Sequence, residues 1–241
     1  MMDKSIVLSK RLQTLAEMVT KGNRVADVGC DHGFVSIYLI KQGISPKVLA
    51  MDVRPGPLTR AREHIAEYGL GEYIETRLSD GLLELRFGEA DTLVCAGMGG
   101  PLMMKILTGS REKAQELKEL ILQPQSELPE FRRFLQAEGY ETLEENILCE
   151  EGKYYFLFRV HYTGAASPIA ETETDRLYFK YGKLLLEQRH PVLREYLEYS
   201  MQVTKQIKEI LSGQDKERAR IRLAQVEQEL ADLKAALEFW K

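Results

Sequence analysis

The amino-acid sequence predicts an α/β fold in which a seven-stranded, mostly parallel sheet with helices on both faces precedes a C-terminal antiparallel helical hairpin. Three observations predict this fold. Short apolar runs alternate with helical patterns along the first part of the chain, as in successive βα units. Two further apolar runs, 142–149 and 154–162, lie a short loop apart and fit an antiparallel hairpin at a sheet edge. Near the C-terminus apolar residues recur every three or four positions, as in a coiled coil.

The first elements follow from apolar spacing and from chain breakers. Leu8, Leu12 and Leu15 share one face of a leading helix, and Ser9 is its expected N-cap. A helix at 58–68 is expected to begin after the break at Pro55-Gly56-Pro57. The other apolar runs predict strands at 25–28, 47–52, 73–78 and 90–96, and helices at 34–40 and 102–107.

The next elements complete the sheet and lead out of it. A strand is expected at 119–122 and a helix from Pro129 to Glu138, closed by Gly139. Small, polar and proline residues dominate 163–174, which predicts a linker. We therefore expect one domain at 1–162, the linker at 163–174 and a helical coiled-coil domain at 175–241.

A helical hairpin is expected in the C-terminal domain. One helix covers 192–211, and the other carries an apolar seam made of Leu223, Val226, Leu230, Leu233, Leu237 and Trp240. Such a seam pairs either within the chain or between chains. The expected oligomeric state is therefore a monomer or a weak homodimer.

Composition is that of an ordinary globular protein. The chain has 241 residues, of which 44% are hydrophobic and 29% charged, and a formal net charge of -4. This charge gives no overall attraction for nucleic acid, so a phosphate contact requires a local basic patch. The chain has no apolar stretch near the ~20 residues that span a bilayer, no secretion-signal core at its start and no CxxC pair among its 3 cysteines. We expect a cytoplasmic protein that binds neither metal nor membrane.

The turn after the first strand predicts a ligand site. Val25-Ala26-Asp27 is followed by a glycine turn and an apolar helix, but the glycines do not form the G-x-G-x-x-G pattern of dinucleotide sites. Asp52 ends the second strand, and Asp80, within Ser79-Asp80-Gly81, follows the third. A carboxylate in the former position suits a ribose diol, and one in the latter suits an adenine amino group. The expected ligand is an adenosine-containing cofactor without a pyrophosphate.

These residues carry a resemblance. The set Asp27-x-Gly29-x-x-x-Gly33, Asp52, Asp80 and Gly97-Met98-Gly99-Gly100 resembles class I S-adenosylmethionine-dependent methyltransferases, whose sheet is Rossmann-like. Val-Gly-Cys-Asp-His-Gly, Cys-Ala-Gly-Met-Gly-Gly and Leu-Gln-Pro-Gln, with the helical hairpin, resemble the bacterial tRNA adenine-22 N1-methyltransferases over nearly the whole chain. Two positions depart from the pattern. Asp31 stands where the general class has a second glycine, and Gln125 stands where an asparagine is expected.

The resemblance implies S-adenosyl-L-methionine as cofactor and tRNA as partner. The residues implied for the cofactor are Asp27, Gly29, Cys30, Gly33, Asp52, Ser79, Asp80, Gly81 and Gly97. Those implied for catalysis, beside the transferred methyl, are Asp31, His32, Gly97, Met98 and Gly99. For Asp31 and His32 an alternative stays open, in which His32 caps the helix and Asp31 only fixes the turn.

The implied RNA contacts are less specific. The expected substrate-binding residues are Arg11, Gln123, Pro124, Gln125, Tyr154, Arg218, Arg220 and Arg222, and the last three belong to the densest basic segment, 216–222. Tyr154 and Tyr155 are candidates for stacking on a base or for packing at the sheet edge. Two other functions remain open: methylation of another RNA, a protein or a small molecule, and partner binding without catalysis.

Overall fold

The computed structural model of the protein describes residues 6–166, 172–213 and 217–241. It divides into two compact units, one made of Met1–Asn146 and Tyr155–Ile169 and the other of Ile147–Tyr154 and Ala170–Lys241. The boundaries expected from the sequence, at 1–162 and 175–241, stay a prediction. Part of the predicted linker, 167–171, lies outside the described residues.

A seven-stranded sheet organises the fold. Its strands are β1 (Val25–Val28), β2 (Val48–Asp52), β3 (Ile74–Leu78), β4 (Thr92–Met98), β5 (Glu119–Pro124), β6 (Tyr140–Glu150) and β7 (Lys153–Tyr162). Their order is β3-β2-β1-β4-β5-β7-β6. Strands β1 to β5 pair in parallel with their neighbours, whereas β7 pairs antiparallel with β5. The predicted mostly parallel, seven-stranded sheet is confirmed.

Helices connect the strands and make up the C-terminal part. They are α1 (Lys10–Glu17), α2 (Phe34–Lys41), α3 (Pro55–Glu67), α4 (Gly100–Gly109), α5 (Arg111–Glu116), α6 (Leu128–Ala137), α7 (Glu173–Tyr181), α8 (Lys183–Glu187), α9 (Pro191–Ser212) and α10 (Glu217–Leu237). Strands β1, β2 and β5 are buried along their whole length, as expected of strands covered on both faces. The predicted N-cap of α1 is confirmed, since the Ser9 side chain accepts from the Leu12 backbone.

Among the boundaries that differ from the prediction, three have a clear physical reason. Helix α3 begins at Pro55 rather than Leu58, because proline suits the first helical turn, where its missing N–H is not needed. Strand β4 continues to Met98, because a bulge after Ala96 lets Met98 pair with Pro124. Trp240 lies in a short 3-10 helix beyond the end of α10, so it is not part of that helix.

The second unit contains the C-terminal helix pair. Leu193, Leu197 and Met201 of α9 are buried, as are Val226 and Leu230 of α10. A buried carboxylate, Asp232, accepts from Arg176 at 2.7 Å and from Lys180 at 3.2 Å, which ties α10 to α7. The pair of C-terminal helices is confirmed, while its coiled-coil character stays a prediction.

The described residues have three further features that bear on function. None of the described helices is both long and apolar enough to cross a bilayer. The described part of the chain holds no group of three or more His, Cys, Asp and Glu side chains suited to a metal ion. Cys30, Cys95 and Cys149 are free thiols.

Candidate active site

A cavity of about 560 Å³ opens at the carboxyl ends of β1, β2, β3 and β4, all within the first unit. Open parallel sheets bind their ligands at this edge. The predicted site residues that line it are Arg11, Asp27, Gly29, Cys30, Asp31, His32, Asp52, Ser79, Asp80, Gly81, Gly97, Met98 and Gln125. The structure therefore brings together most residues expected to contact cofactor or catalyse transfer.

Asp27 is the most deeply buried carboxylate of the cavity. It lies in β1, is 4% exposed, and accepts a hydrogen bond from the Ser36 hydroxyl at 2.6 Å. Burial raises the pKa of Asp27 to about 6, and the neighbouring Asp52 adds to the rise while the Ser36 hydrogen bond opposes it. This carboxyl therefore changes charge close to neutral pH.

We expect Asp27 to make folding less favourable as pH rises. An unfolded aspartate loses its proton near 3.8, whereas folded Asp27 keeps its proton up to about 6. Between these values the native state binds more protons, so the free energy of unfolding falls with pH, by about 3 kcal/mol in all. Urea unfolding of the parent and Asp27→Asn, at pH values below and above this window, measures the difference. The free energy of unfolding of the variant, relative to that of the parent, should rise by about 3 kcal/mol across this window. Parallel pH profiles of the two proteins would contradict a raised pKa of Asp27.

The turn between β1 and α2 depends on left-handed backbone. Gly29 has φ +75 and packs against Met98, because a Cβ on Gly29 would lie 2.2 Å from the Met98 Cε. Asp31 has φ +48, a conformation that aspartate tolerates better than most residues. This explains how an aspartate stands where the resembled class has a glycine. The turn role of Asp31 thus has a structural basis, and its side chain remains 60% exposed.

His32 does not cap α2. The N-cap residue is Gly33, and no side chain makes the capping hydrogen bond. That part of the alternative interpretation is wrong, because the His32 side chain turns to other partners. Its Nε2 lies 3.6 Å from the Asp31 carboxylate, and its ring stacks near Phe34 with centroids 5.8 Å apart.

The ends of β2 and β3 present two further carboxylates. Asp52 is buried, and its Oδ1 accepts from the Arg54 backbone at 2.9 Å, which fixes the carboxylate in the cavity wall. Asp80 is exposed and lines the same cavity. Between them, the Ser79 N–H donates to the Asp52 carbonyl and the Ser79 hydroxyl donates to the Gly81 carbonyl. Ser79 therefore fixes the position of the loop that carries Asp80.

A buried amide holds the loop after β4. Gln123 is 0% exposed, and its Oε1 accepts from Arg11 at 2.7 Å and from the Gly97 N–H at 3.2 Å. Its Nε2 donates to the Pro124 carbonyl at 3.1 Å. Gln125, by contrast, is exposed and lines the cavity, while its N–H donates to the Met98 carbonyl. Gln123 therefore fixes the end of β4 from within the protein, whereas Gln125 is exposed and lines the cavity.

Two buried cysteines lie near the site, Cys30 in the cavity lining and Cys95 within β4. Burial raises the pKa of Cys95 to about 12, and burial with the nearby Asp27 raises the pKa of Cys30 well above its ordinary value. Both thiols are therefore protonated at neutral pH, and a thiol is far less reactive than a thiolate. The site offers oriented polar groups rather than a covalent catalyst.

The remaining predicted residues are not among those that line the cavity. Gly33 and Gly99 lie in the turns that lead into α2 and α4, and Pro124 is buried at the end of β5. Tyr154 belongs to the second unit and packs edge-on against Tyr196, with centroids 5.1 Å apart. The exposed arginines of α10 in the same unit are Arg218, Arg220 and Arg222. Lys216 lies outside the described residues.

The sequence interpretation missed several cavity residues. They are Leu12, Leu15, Val28, Phe34, Val35, Val53, Arg54, Val94, Ala96, Leu102 and Ile106. Most are apolar and look like ordinary core residues in the sequence. The position of Phe34, directly after the glycine turn, was the available signal for one of them.

Residues 8–158 match the family described as "Methyltransferase domain". The chain is 38% identical over 148 residues to the tRNA (adenine(22)-N(1))-methyltransferase of Bacillus subtilis, a match that covers 61% of this chain and 62% of that protein. The chain therefore spans less than two thirds of that curated relative in sequence.

Solved structures match over greater lengths. The crystal structure of the B. subtilis M1A22 tRNA methyltransferase TrmK superimposes with a TM-score of 0.80 at 30% identity, covering 96% of this chain and 99% of that one. A Streptococcus pneumoniae protein in complex with S-adenosyl-L-methionine matches with a TM-score of 0.81 at 27% identity, covering 96% and 100% of the two chains.

Proposed function

The chain belongs to the methyltransferase-domain family, and from that premise we propose that it is an S-adenosylmethionine-dependent tRNA methyltransferase that forms 1-methyladenosine at adenine 22. One observation carries the proposal: three carboxylates at the ends of successive parallel strands, Asp27, Asp52 and Asp80, converge on one cavity. The similarity to the B. subtilis tRNA (adenine(22)-N(1))-methyltransferase supports the choice of reaction.

The cavity fits the cofactor. Asp52 is buried at the end of β2 with its Oδ1 held by the Arg54 N–H, so it offers a fixed carboxylate to a ribose diol. Asp80 and Gly81 line the same cavity, where the Asp80 carboxylate would accept from an adenine amino group. The residues proposed to hold the cofactor remain Asp27, Gly29, Cys30, Gly33, Asp52, Ser79, Asp80, Gly81 and Gly97. When bound, S-adenosylmethionine supplies an electrophilic methyl group.

Catalysis in this proposal rests on orientation. The adenine N1 lone pair lies in the ring plane and is available, so no strong base is needed before attack. Correct placement of the two reactants lowers the barrier by up to ~7–11 kcal/mol. Arg11 and Gln123 hold Gly97 in place, and the adjoining Met98 and Gly99 shape the wall of the site. Asp31 and His32 lie at the same cavity, where the Asp31 carboxylate is able to accept from the adenine amino group.

The target base has to leave its pair. N1 lies on the Watson–Crick edge, so the adenine reaches the cavity only when it is unpaired or flipped out. Gln125 is exposed at the cavity and is proposed to contact the incoming nucleotide. We also assign the activity to the cytoplasm, and to a monomer or weak homodimer.

The proposal is tested by incubating the protein with unmodified bulk tRNA and methyl-labelled S-adenosylmethionine, then digesting the RNA to nucleosides. Label in 1-methyladenosine is the expected result. Label in another nucleoside would keep the methyltransferase activity but reject adenine N1 as the target. Cofactor binding without transfer would instead favour a small-molecule or protein substrate, or a non-catalytic partner-binding role.

We further propose that Arg218, Arg220 and Arg222 of α10 contact RNA phosphates. All three are exposed. Reversing them to glutamate should weaken tRNA binding and reduce the slope of log K against log salt by about 2, at roughly 0.7–0.9 per lost phosphate contact. The change should not impair folding, because all three side chains are exposed and because Arg218 and Arg220 lie in the first turn of α10, where acidic residues are favourable.

Filter binding at several salt concentrations measures this slope. Glutamate at the exposed Lys205 and Lys234 of the same helix pair serves as the control, and it should leave the slope nearly unchanged. If the arginine and lysine variants behave alike, the arginines are only a solvated helix face.

A further inference from the structure

We infer that Phe34, held by His32 and His64, is a stacking platform for an unpaired base of the substrate RNA at the mouth of the cavity. This inference rests on the proposed function and deepens it. Phe34 is absent from the residues that the sequence motifs assign. It is the first residue of α2 and lines the cavity together with His32.

Three clustered rings form the platform. The Phe34 and His64 centroids lie 4.6 Å apart with planes 21° apart, and His32 lies 5.8 Å from Phe34 with planes 12° apart. His64 belongs to α3, and its Nδ1 lies at hydrogen-bond distance, 2.9 Å, from the His32 carbonyl oxygen. The rings are therefore held by two helices and a turn, so little side-chain freedom is lost when a base stacks on them.

Phe34 is exposed although its neighbours are buried. It is 38% exposed, whereas the following residues of α2, Val35 and Ile37, are 9% and 0% exposed. Packing of α2 against the sheet does not account for an aromatic ring in this position. An exposed, rigid aromatic side chain beside a ligand cavity is suited to a flat partner with an accessible π face.

The surrounding charge favours a nucleotide over a purely apolar ligand. Arg60 of α3 is half exposed, and its guanidinium lies 3.7 Å from the Asp31 carboxylate. Arg54, which precedes α3, lines the cavity and has a side chain that is 75% exposed. The Arg60–Asp31 pair is exposed on both sides, and such pairs contribute little to stability, so the Arg60 guanidinium remains available to a phosphate. Arg54 lies 3.9 Å from the buried Asp52, and most of its side chain stays in solvent. Stacking rings flanked by cations are what single-stranded nucleic acid sites combine.

The test compares Phe34→Ala, Phe34→Leu and Phe34→Trp with the parent. Leucine keeps apolar bulk without a π face, whereas tryptophan keeps the face. We expect kcat/KM for tRNA to fall about tenfold in the alanine and leucine variants and to be largely retained in the tryptophan variant. The Kd for S-adenosylhomocysteine should stay unchanged in all three. Phe87→Ala is the matched control, since Phe87 is 59% exposed and is not among the cavity residues.

A second readout separates this inference from the proposed function. The parent carries a single tryptophan, so its fluorescence emission is subtracted from that of Phe34→Trp. The remaining emission should be quenched when tRNA is added, whether or not methyl transfer occurs. Quenching without transfer would reject the proposed function and keep the platform. An unchanged emission together with an unchanged kcat/KM in Phe34→Leu would overturn the inference. A loss of cofactor affinity as large as the loss of kcat/KM would also overturn the inference, because Phe34 would then contact the cofactor rather than the RNA.

Discussion

Replacing Asp52 by alanine is expected to weaken S-adenosylhomocysteine binding by at least about 100-fold. Asp52 is buried at the end of β2, and one of its oxygens is already fixed by the Arg54 N–H. Hydrogen bonds to a charged group contribute about 1.5–3 kcal/mol each, and a ribose offers two hydroxyl donors. The loss of both corresponds to about 3 kcal/mol or more, and isothermal titration calorimetry measures it directly.

Two companion variants make the Asp52 result interpretable. Asp52→Asn keeps the shape of the side chain but loses the charge, so its Kd should lie between those of the parent and the alanine variant. Glu63→Gln removes an exposed carboxylate of α3 and should leave the Kd unchanged. If Asp52→Ala binds the cofactor as tightly as Glu63→Gln, the ribose is held elsewhere and the assignment of the strand-end carboxylates fails.

The second large effect is expected for Gly100→Ala. Gly100 opens α4 directly after the loop at Gly97–Gly99, and a Cβ there would lie 2.5 Å from the Ser126 carbonyl oxygen. Because that neighbour is backbone, the helix or the segment after β5 has to move. We expect a loss of about 2 kcal/mol in the free energy of unfolding. We also expect a roughly 100-fold lower kcat, since a displacement of about 1 Å at reacting groups costs that much.

The same helix provides a matched control for Gly100. Gly109 ends α4, and a Cβ at this position meets nothing within 4 Å. Gly109→Ala should therefore be neutral or stabilising by up to about 1 kcal/mol, with unchanged kcat. Urea unfolding and single-turnover transfer compare the two variants. Equal stability and equal rates would show that the loop does not depend on the close approach at Gly100.

The sequence was sufficient to predict the site residues that lie at or near the carboxyl ends of the parallel strands. Asp27 and Asp52 lie in buried strands, and Asp80 follows the alternating strand β3. Parallel pairing brings strand ends to one edge, so their convergence required no tertiary detail. Gly29 was predicted from the turn that follows β1, and it lines the same cavity. These residues reach the cavity through regular geometry alone.

Contacts between distant elements were not accessible from the sequence. Arg11 and Gln123 are 112 residues apart, and only the placement of α1 beside β5 brings the guanidinium to the buried amide. The platform at Phe34 likewise depends on α3 placing His64 against α2. Periodicity identifies which face of a helix is apolar, but it does not say which neighbour that face meets.

The most direct measurement of the central claim uses two tRNA transcripts that differ only at nucleotide 22, adenine in one and guanine in the other. Each is incubated with the protein and methyl-labelled S-adenosylmethionine under single-turnover conditions, and the label is located after digestion to nucleosides. The account predicts label in 1-methyladenosine from the adenine transcript and none from the guanine transcript. Equal labelling of both transcripts, or label in any other nucleoside, would contradict it.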